Sequence, residues 1–193
     1  MLNENKEHYK ENFNSIVFSR ENIIDNEFYS CNFRNCDFSN ADMTGCKFVE
    51  SLFVDCNLSN LKIKTWKLQE VNFDGSKILG IDFSSTDKLL FSASFNGCLI
   101  ESCKFFGLKM KNAKFTSCTF RETDFQDTDL EKADFRKSTF SESNFNNTNL
   151  SSANFVGASG FNINPLNNKL SKARFSYLEA ISLLRPFGII LED

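Results

Sequence analysis

Only 2 prolines occur in 193 residues, so no Pro-rich linker divides the chain and one continuous domain is the simplest organisation. Histidine and tryptophan occur once each, as His8 and Trp66. A single histidine at the polar start leaves no His–Ser–Asp or Cys–His set for nucleophilic catalysis, and none to complete a zinc site. No glycine-rich phosphate loop is present. Basic charge is not in excess: 22 Lys and Arg stand against 25 Asp and Glu, a net of −3, which argues against direct binding to nucleic acid or to an anionic membrane. No apolar run is long enough to span a bilayer. The opening Met1-Leu2-Asn3-Glu4-Asn5-Lys6-Glu7-His8 lacks the apolar core of a secretory signal, and the expected location is cytoplasmic.

Phenylalanine is what the chain has in abundance, 23 residues against 3 Tyr, an aromatic content without the polar handles common at pockets and interfaces. It recurs with a fixed period. From Phe13 every fifth residue through Phe83 is large and apolar, as in Phe28, Phe33, Phe38, Met43 and Phe48. The phase slips by two residues across Ser84 to Phe91, then resumes at Phe95 and runs without exception to Phe155. Two positions before each centre the residue is mostly small, as in Cys31, Cys36, Ala41, Cys46, Cys98, Cys103 and Ala133. The other three positions are mostly polar.

A period of five fits neither an α-helix nor an alternating strand. It fits a closed coil in which each five-residue unit forms one side and four sides make a 20-residue turn. Alternation along an extended side points the centre and the residue two before it inward. Coils then stack by parallel ladders about 4.8 Å apart, which puts Phe13 over Phe33, Phe53 and Phe73.

The motif resembles that of the pentapeptide-repeat family, carried almost as written by Ala41-Asp42-Met43, Ala113-Lys114-Phe115, Ala133-Asp134-Phe135 and Ala153-Asn154-Phe155. The resemblance implies an all-β fold, a right-handed quadrilateral parallel β-helix, with no catalytic residue and no cofactor. The expected organisation is a polar segment over residues 1–10, the β-helix over 11–175 with a phase break at 84–94, and a terminal helix with an apolar end over 176–193. Ser176 and Glu179 read as a capping box for that helix, which runs through Leu184 and ends near Pro186. The Phe161-Asn162-Ile163-Asn164-Pro165 stretch before it is expected to stay in phase, because Phe155 and Phe175 are one coil apart.

All seven cysteines lie in the small inward slot and read as packing residues, since free Cys behaves as a small buried hydrophobe. Trp66 occupies the same slot and reads as core. Stacking sets Lys104 over Asp124, Lys109 over Asp129, Lys114 over Asp134, Lys111 over Glu131 and Asp42 over Lys62, opposite-charge pairs that neutralise much of the surface. Glu50 over Glu70, and Glu122 with Glu142 and Asp127, remain as candidates for an acidic partner-binding face. The phase break, with Asp87 and Lys88 where an inward pair is due, is expected to project outward as a recognition loop.

The terminal arrangement resembles the Qnr, MfpA, McbG and AlbG members of the family. That likeness implies a rod-shaped, duplex-like homodimer engaging DNA gyrase or topoisomerase IV, joined through Tyr177, Leu178, Ile181, Leu184 and Phe187. Against duplex mimicry stands the charge arithmetic: a rod of roughly 40 Å would imitate about two dozen phosphate charges, where this subunit has a net of −3. A scaffold for a different protein partner is the alternative.

Overall fold

The computed structural model describes residues 6–89 and 91–190. About eight four-sided coils stack into a parallel β-helix closed by one short terminal helix. One side carries a six-stranded ladder, the next a five-stranded ladder, and a third a four-stranded ladder, all parallel. The remaining side is held by isolated bridges. Residues 20 apart face one another, as in Phe13 with Phe33 and Phe95 with Phe115.

The interior is solid. Nine rings, Phe13, Phe33, Phe53, Phe73, Phe95, Phe115, Phe135, Phe155 and Phe175, form one uninterrupted column with centroids 4.7 to 5.1 Å apart and planes within 16°. The strand spacing imposes that stack. Edge-to-face contacts tie neighbouring columns together, for example Phe115 with Phe120 at 5.6 Å and with Phe105 at 5.8 Å, a favoured aromatic arrangement.

The small slot does more than pack. Cys36 Sγ donates to the carbonyls of Phe13 and Arg34, each at 3.4 Å. Thr128 Oγ1 donates to Phe105 and Gln126 carbonyls at 2.9 and 3.2 Å. Thiols and hydroxyls therefore give second donors to backbone oxygens in a dry interior, where an unmet acceptor is costly. Burial pushes the Cys46 thiol up to about 12 and Cys103 up to about 11, so these are unreactive thiols.

Most corners are turned by a left-handed residue. Among the described residues twenty-three non-glycine residues have positive φ; with Gly45 they recur at every fifth position from Lys10 through Glu70, and the series resumes after the phase break. Such a conformation disfavours an ordinary side chain by about 1–2 kcal/mol, and the ladder bonds on both sides of each corner hold it in place.

Three features differ from expectation. The β-helix already includes Glu7–Tyr9, before the expected start at residue 11: Glu7–Tyr9 pairs with Glu27–Tyr29, and His8 fills an inward centre, buried and stacked on Phe28 at 4.8 Å. Residues 1–5 of the expected polar segment lie outside the described residues. His8 is five residues before Phe13 and so in phase. Its ring nitrogens face Glu11 and Asn26 oxygens, each at 3.2 Å, which makes its burial tolerable.

The second concerns the degenerate coil, which keeps the 20-residue register at Phe155 with Phe175 and Asn149 with Lys169 but pairs Phe145 with Ile163. Two residues are dropped and then regained. Gly160, at φ +74°, makes the short cut, since a Cβ there would press on the Phe140 carbonyl oxygen. Phe161 turns inward instead, 5.5 Å from Phe155 and 5.4 Å from Phe175.

The third is the capping box. Ser176 makes no side-chain cap, and Tyr177–Ala180 is a single α-turn followed by 3-10 helix over Ile181–Phe187. Ser176 Oγ accepts from the Gly157 N–H at 2.8 Å. In the regular repeat that donor would bond the carbonyl of residue 176, but here the Ser176 carbonyl accepts the Ala180 N–H, so the hydroxyl closes the ladder and is not free for the helix.

Truncating Phe115 removes the centre of the nine-ring column. Phe115→Ala should lower stability by about 3–5 kcal/mol, read as a shift in the urea midpoint, and a near-neutral result would contradict the stacked core.

Candidate interaction sites

The terminal helix covers the last coil with only part of its apolar surface. Leu183 packs on the core together with Leu170 and Phe175. On the outer side Tyr177 is 86% exposed, Leu178 74%, Phe187 51% and Ile181 40%, while Leu184 is half-buried. Leu178, Ile181, Leu184 and Ile189 line a shallow groove of about 370 Å³ with Glu179 and Arg185 at its rim. The five expected interface residues thus share one end of the molecule; residues 191–193 lie outside the described residues.

At the phase break the register changes from 20 to 22, with Phe73 facing Phe95. The chain enters in register, since the Asp87 N–H donates to the Trp66 carbonyl at 2.8 Å, and it returns at Ser92, whose N–H donates to Leu68 at 2.7 Å. Between them Lys88 is exposed, Leu89 is 94% exposed, and Phe91 turns back into the core against Phe83. Ser84 and Ser85 do not project freely, because they sit in a 3-10 turn capped by Asp82. Asp87 is half-buried and its carboxylate accepts the Leu89 N–H at 3.0 Å. It anchors the loop, while Lys88 and Leu89 form the described tip. An exposed leucine went unread because the sequence pattern marks apolar residues as core.

Trp66 lies one coil before the break. It is fully buried in a slot that elsewhere holds Cys46 or Thr86, and it packs edge-on against Phe48 at 5.4 Å. Its Nε1 is the only buried side-chain nitrogen or oxygen without a partner among the described residues. An indole is bulkier than the Cys46 and Thr86 side chains that fill this slot in the coils on either side, and the coil above it is still in register, with the Asp87 N–H on the Trp66 carbonyl.

The break also leaves a cleft of about 470 Å³ on one edge of the rod. It lies on the edge that Glu70 and Asn112 turn at φ 55° and 60°. Phe91 and Met110 contribute to its floor and Glu50, Glu70, Lys109 and Lys114 to its rim.

The acidic candidates do not form one face. Glu50 and Glu70 share the edge turned by Lys10, Ser30, Asn112 and Lys132. Glu122 and Glu142 share the diagonally opposite edge with Asn60 and Ser102, and Asp127 lies on a third edge with Gly107 and Asn147. Elsewhere the charges are largely used locally. Asp37, Asp42, Asp124, Asp129 and Asp134 each accept the N–H two residues on, and Asp124 and Asp129 also accept from the amides of Asn144 and Asn149 one coil later. Lys111 pairs with Glu131 at 2.7 Å and Lys62 with Asp42 at 3.7 Å. Lys104, Lys109 and Lys114 stack over Asp124, Asp129 and Asp134 by backbone bridges, but no ion pair joins them, because those carboxylates are committed locally.

Among the described residues no group of His, Cys, Asp and Glu could hold a metal ion, and no helix is long and apolar enough to cross a membrane.

The sequence matches the pentapeptide repeat region family over residues 26–105 and the SV2A/B/C luminal domain over residues 96–164. No curated protein matches it. Two trypsin-treated variants of QnrB1, a plasmid-mediated fluoroquinolone resistance protein, are similar in structure. One has a TM-score of 0.73 at 14% identity, covering 96% of this chain and 99% of that one. The other has 0.65 at 15%, covering 96% and 100%. HetL, a pentapeptide repeat protein involved in heterocyst differentiation regulation in the cyanobacterium Nostoc, gives 0.67 at 14% identity, covering 86% and 83%. These likenesses are of fold.

Asp134 tests how the surface charges act. Hydrogen bonds from Arg136, at 2.6 Å from Nη2 and 2.9 Å from Nε, hold its carboxyl below the ordinary range. A depressed carboxyl stabilises the fold above the ordinary value of about 4 and loses that contribution as pH falls through the folded value. Asp134→Asn should cost about 0.5–1 kcal/mol at pH 7, and wild type and variant should converge in denaturation midpoint as pH falls below 4.

Proposed function

We propose, from the premise that this chain is a pentapeptide-repeat β-helix similar in structure to QnrB1, that it is a non-enzymatic interaction protein acting in the cytoplasm. The observation that carries this reading is the solid core: inward positions on all four sides are filled, and what varies is the surface and the exposed apolar end. A type II topoisomerase is the first partner to test, since QnrB1 is a fluoroquinolone resistance protein and the likeness spans 96% of this chain. The proposed assembly is a homodimer joined end to end through the exposed face of the terminal helix, a closed arrangement about a two-fold axis.

A second reading, a scaffold for a different protein partner, is favoured by the charge distribution. Glu50 and Glu70, Glu122 and Glu142, and Asp127 lie on three edges, so imitation of a duplex by a continuous acidic face is poorly supported. Recognition would then rest on the loop tip and on the rod's shape.

Two measurements separate these readings. In a gyrase supercoiling assay with a fluoroquinolone, the protein should raise the drug concentration for half-inhibition several-fold, and deletion of Lys88 and Leu89 should abolish that while leaving unfolding cooperative. No change with wild-type protein removes the topoisomerase from consideration. By sedimentation at micromolar concentration, wild type should run at twice its 22.1 kDa mass and the double variant Leu178→Glu, Ile181→Glu as a folded monomer. A monomeric wild type rules out the end-to-end assembly.

A further inference from the structure

We propose that the cleft at the phase break is a docking site for a short extended segment of a partner protein, with a basic residue at one end, an acidic residue at the other and apolar residues between. It lies on the edge turned by the left-handed residues Glu70 and Asn112, beside a four-stranded ladder that ends at Lys67–Gln69. The floor is apolar, with Phe91 and Met110 buried beneath the opening.

The charges at the rim differ from those elsewhere on the rod. Glu50 and Glu70 follow one another on the same edge, one ladder step of about 4.8 Å apart, and neither joins an ion pair among the described residues. Glu50 accepts only the Ser30 hydroxyl, at 3.2 Å. Two adjacent carboxylates repel one another, and a guanidinium or ammonium group set between them relieves that repulsion while bonding both. Lys109 and Lys114 are exposed and also lack an ion-pair partner among the described residues. They offer a matching place for a carboxylate two coils beyond Glu70.

Length selects a peptide over a small dipolar molecule. From the level of Glu50 to that of Lys114 is three ladder steps, about 14 Å, and four extended residues span about 13 Å. This proposal does not depend on a topoisomerase, and its test contains none.

The probe is the tetrapeptide acetyl-Arg-Leu-Val-Glu-amide, titrated into the isotopically labelled full chain and followed by amide shifts. Shifts should concentrate at residues 70–72, 92–94 and 109–114. Replacing either charged residue of the peptide by alanine should weaken binding at least tenfold. Glu70→Gln and Lys114→Gln alter exposed side chains, and each should weaken binding at least fivefold without moving the unfolding midpoint. No shifts at millimolar peptide, or shifts unchanged in both variants, would overturn the proposal. Free arginine binding as tightly as the peptide would replace it with a simple cation site.

Discussion

Each coil rises by one strand spacing, about 4.8 Å, above the coil before it, and no inward side chain can occupy more than that thickness without disturbing its neighbours. Flat rings meet the limit best. This is why nine phenylalanines can follow one another in a single column, while Leu, Ile and Met fill parts of the other three. The same spacing brings the backbone of most coils into parallel register with the next, so the corners between regular coils are held by ladder bonds above and below. Left-handed lysines and glutamates, unfavourable alone, are tolerated there.

The rise also explains which parts of the fold are legible in the sequence. A period of five among large apolar residues fixes the inward centres, the 20-residue coil and the two-residue slip, because burial leaves little choice of residue type at those positions. The corners leave almost no trace: Lys10, Ser30, Glu50, Glu70 and Asn112 all turn the same edge, since only the backbone conformation is demanded there. His8 was hidden for a related reason. Its place is inward, but its residue type is polar, and Glu11 and Asn26 supply the oxygens that permit it. Ser176 reads in sequence as a helix cap, but a ladder donor from Gly157, visible only in three dimensions, takes its hydroxyl.

The phase break shows how two extra residues in one coil become a surface feature. The register changes from 20 to 22 only after Asp87, while Phe73 still stacks on Phe95 at 5.0 Å. The disturbance is therefore confined to one side of the rod. Its outcome is an outward leucine and an edge cleft, neither of which disrupts the column that supports them. Asp87 and Lys88 were legible as the wrong residues for an inward pair. That Leu89, and not Asp87, forms the described tip follows from the hydrogen bond by which Asp87 holds the loop's backbone.

Surface charge acts mainly at short range in this molecule. Most aspartates before an inward centre accept the N–H two residues on, and asparagine or lysine one coil away takes much of what remains. A surface neutralised in this way generates little long-range field, so steering of a partner by a continuous acidic face would be weak. Recognition must then rely on places where the repeat is interrupted, because the regular sides present nearly the same outline from coil to coil. Two interruptions stand out: the cleft with its unpaired glutamates and lysines, and the apolar end of the terminal helix. A rigid stack fixes the separation between them, so a partner that engages both must match one distance, which a flexible scaffold would not impose.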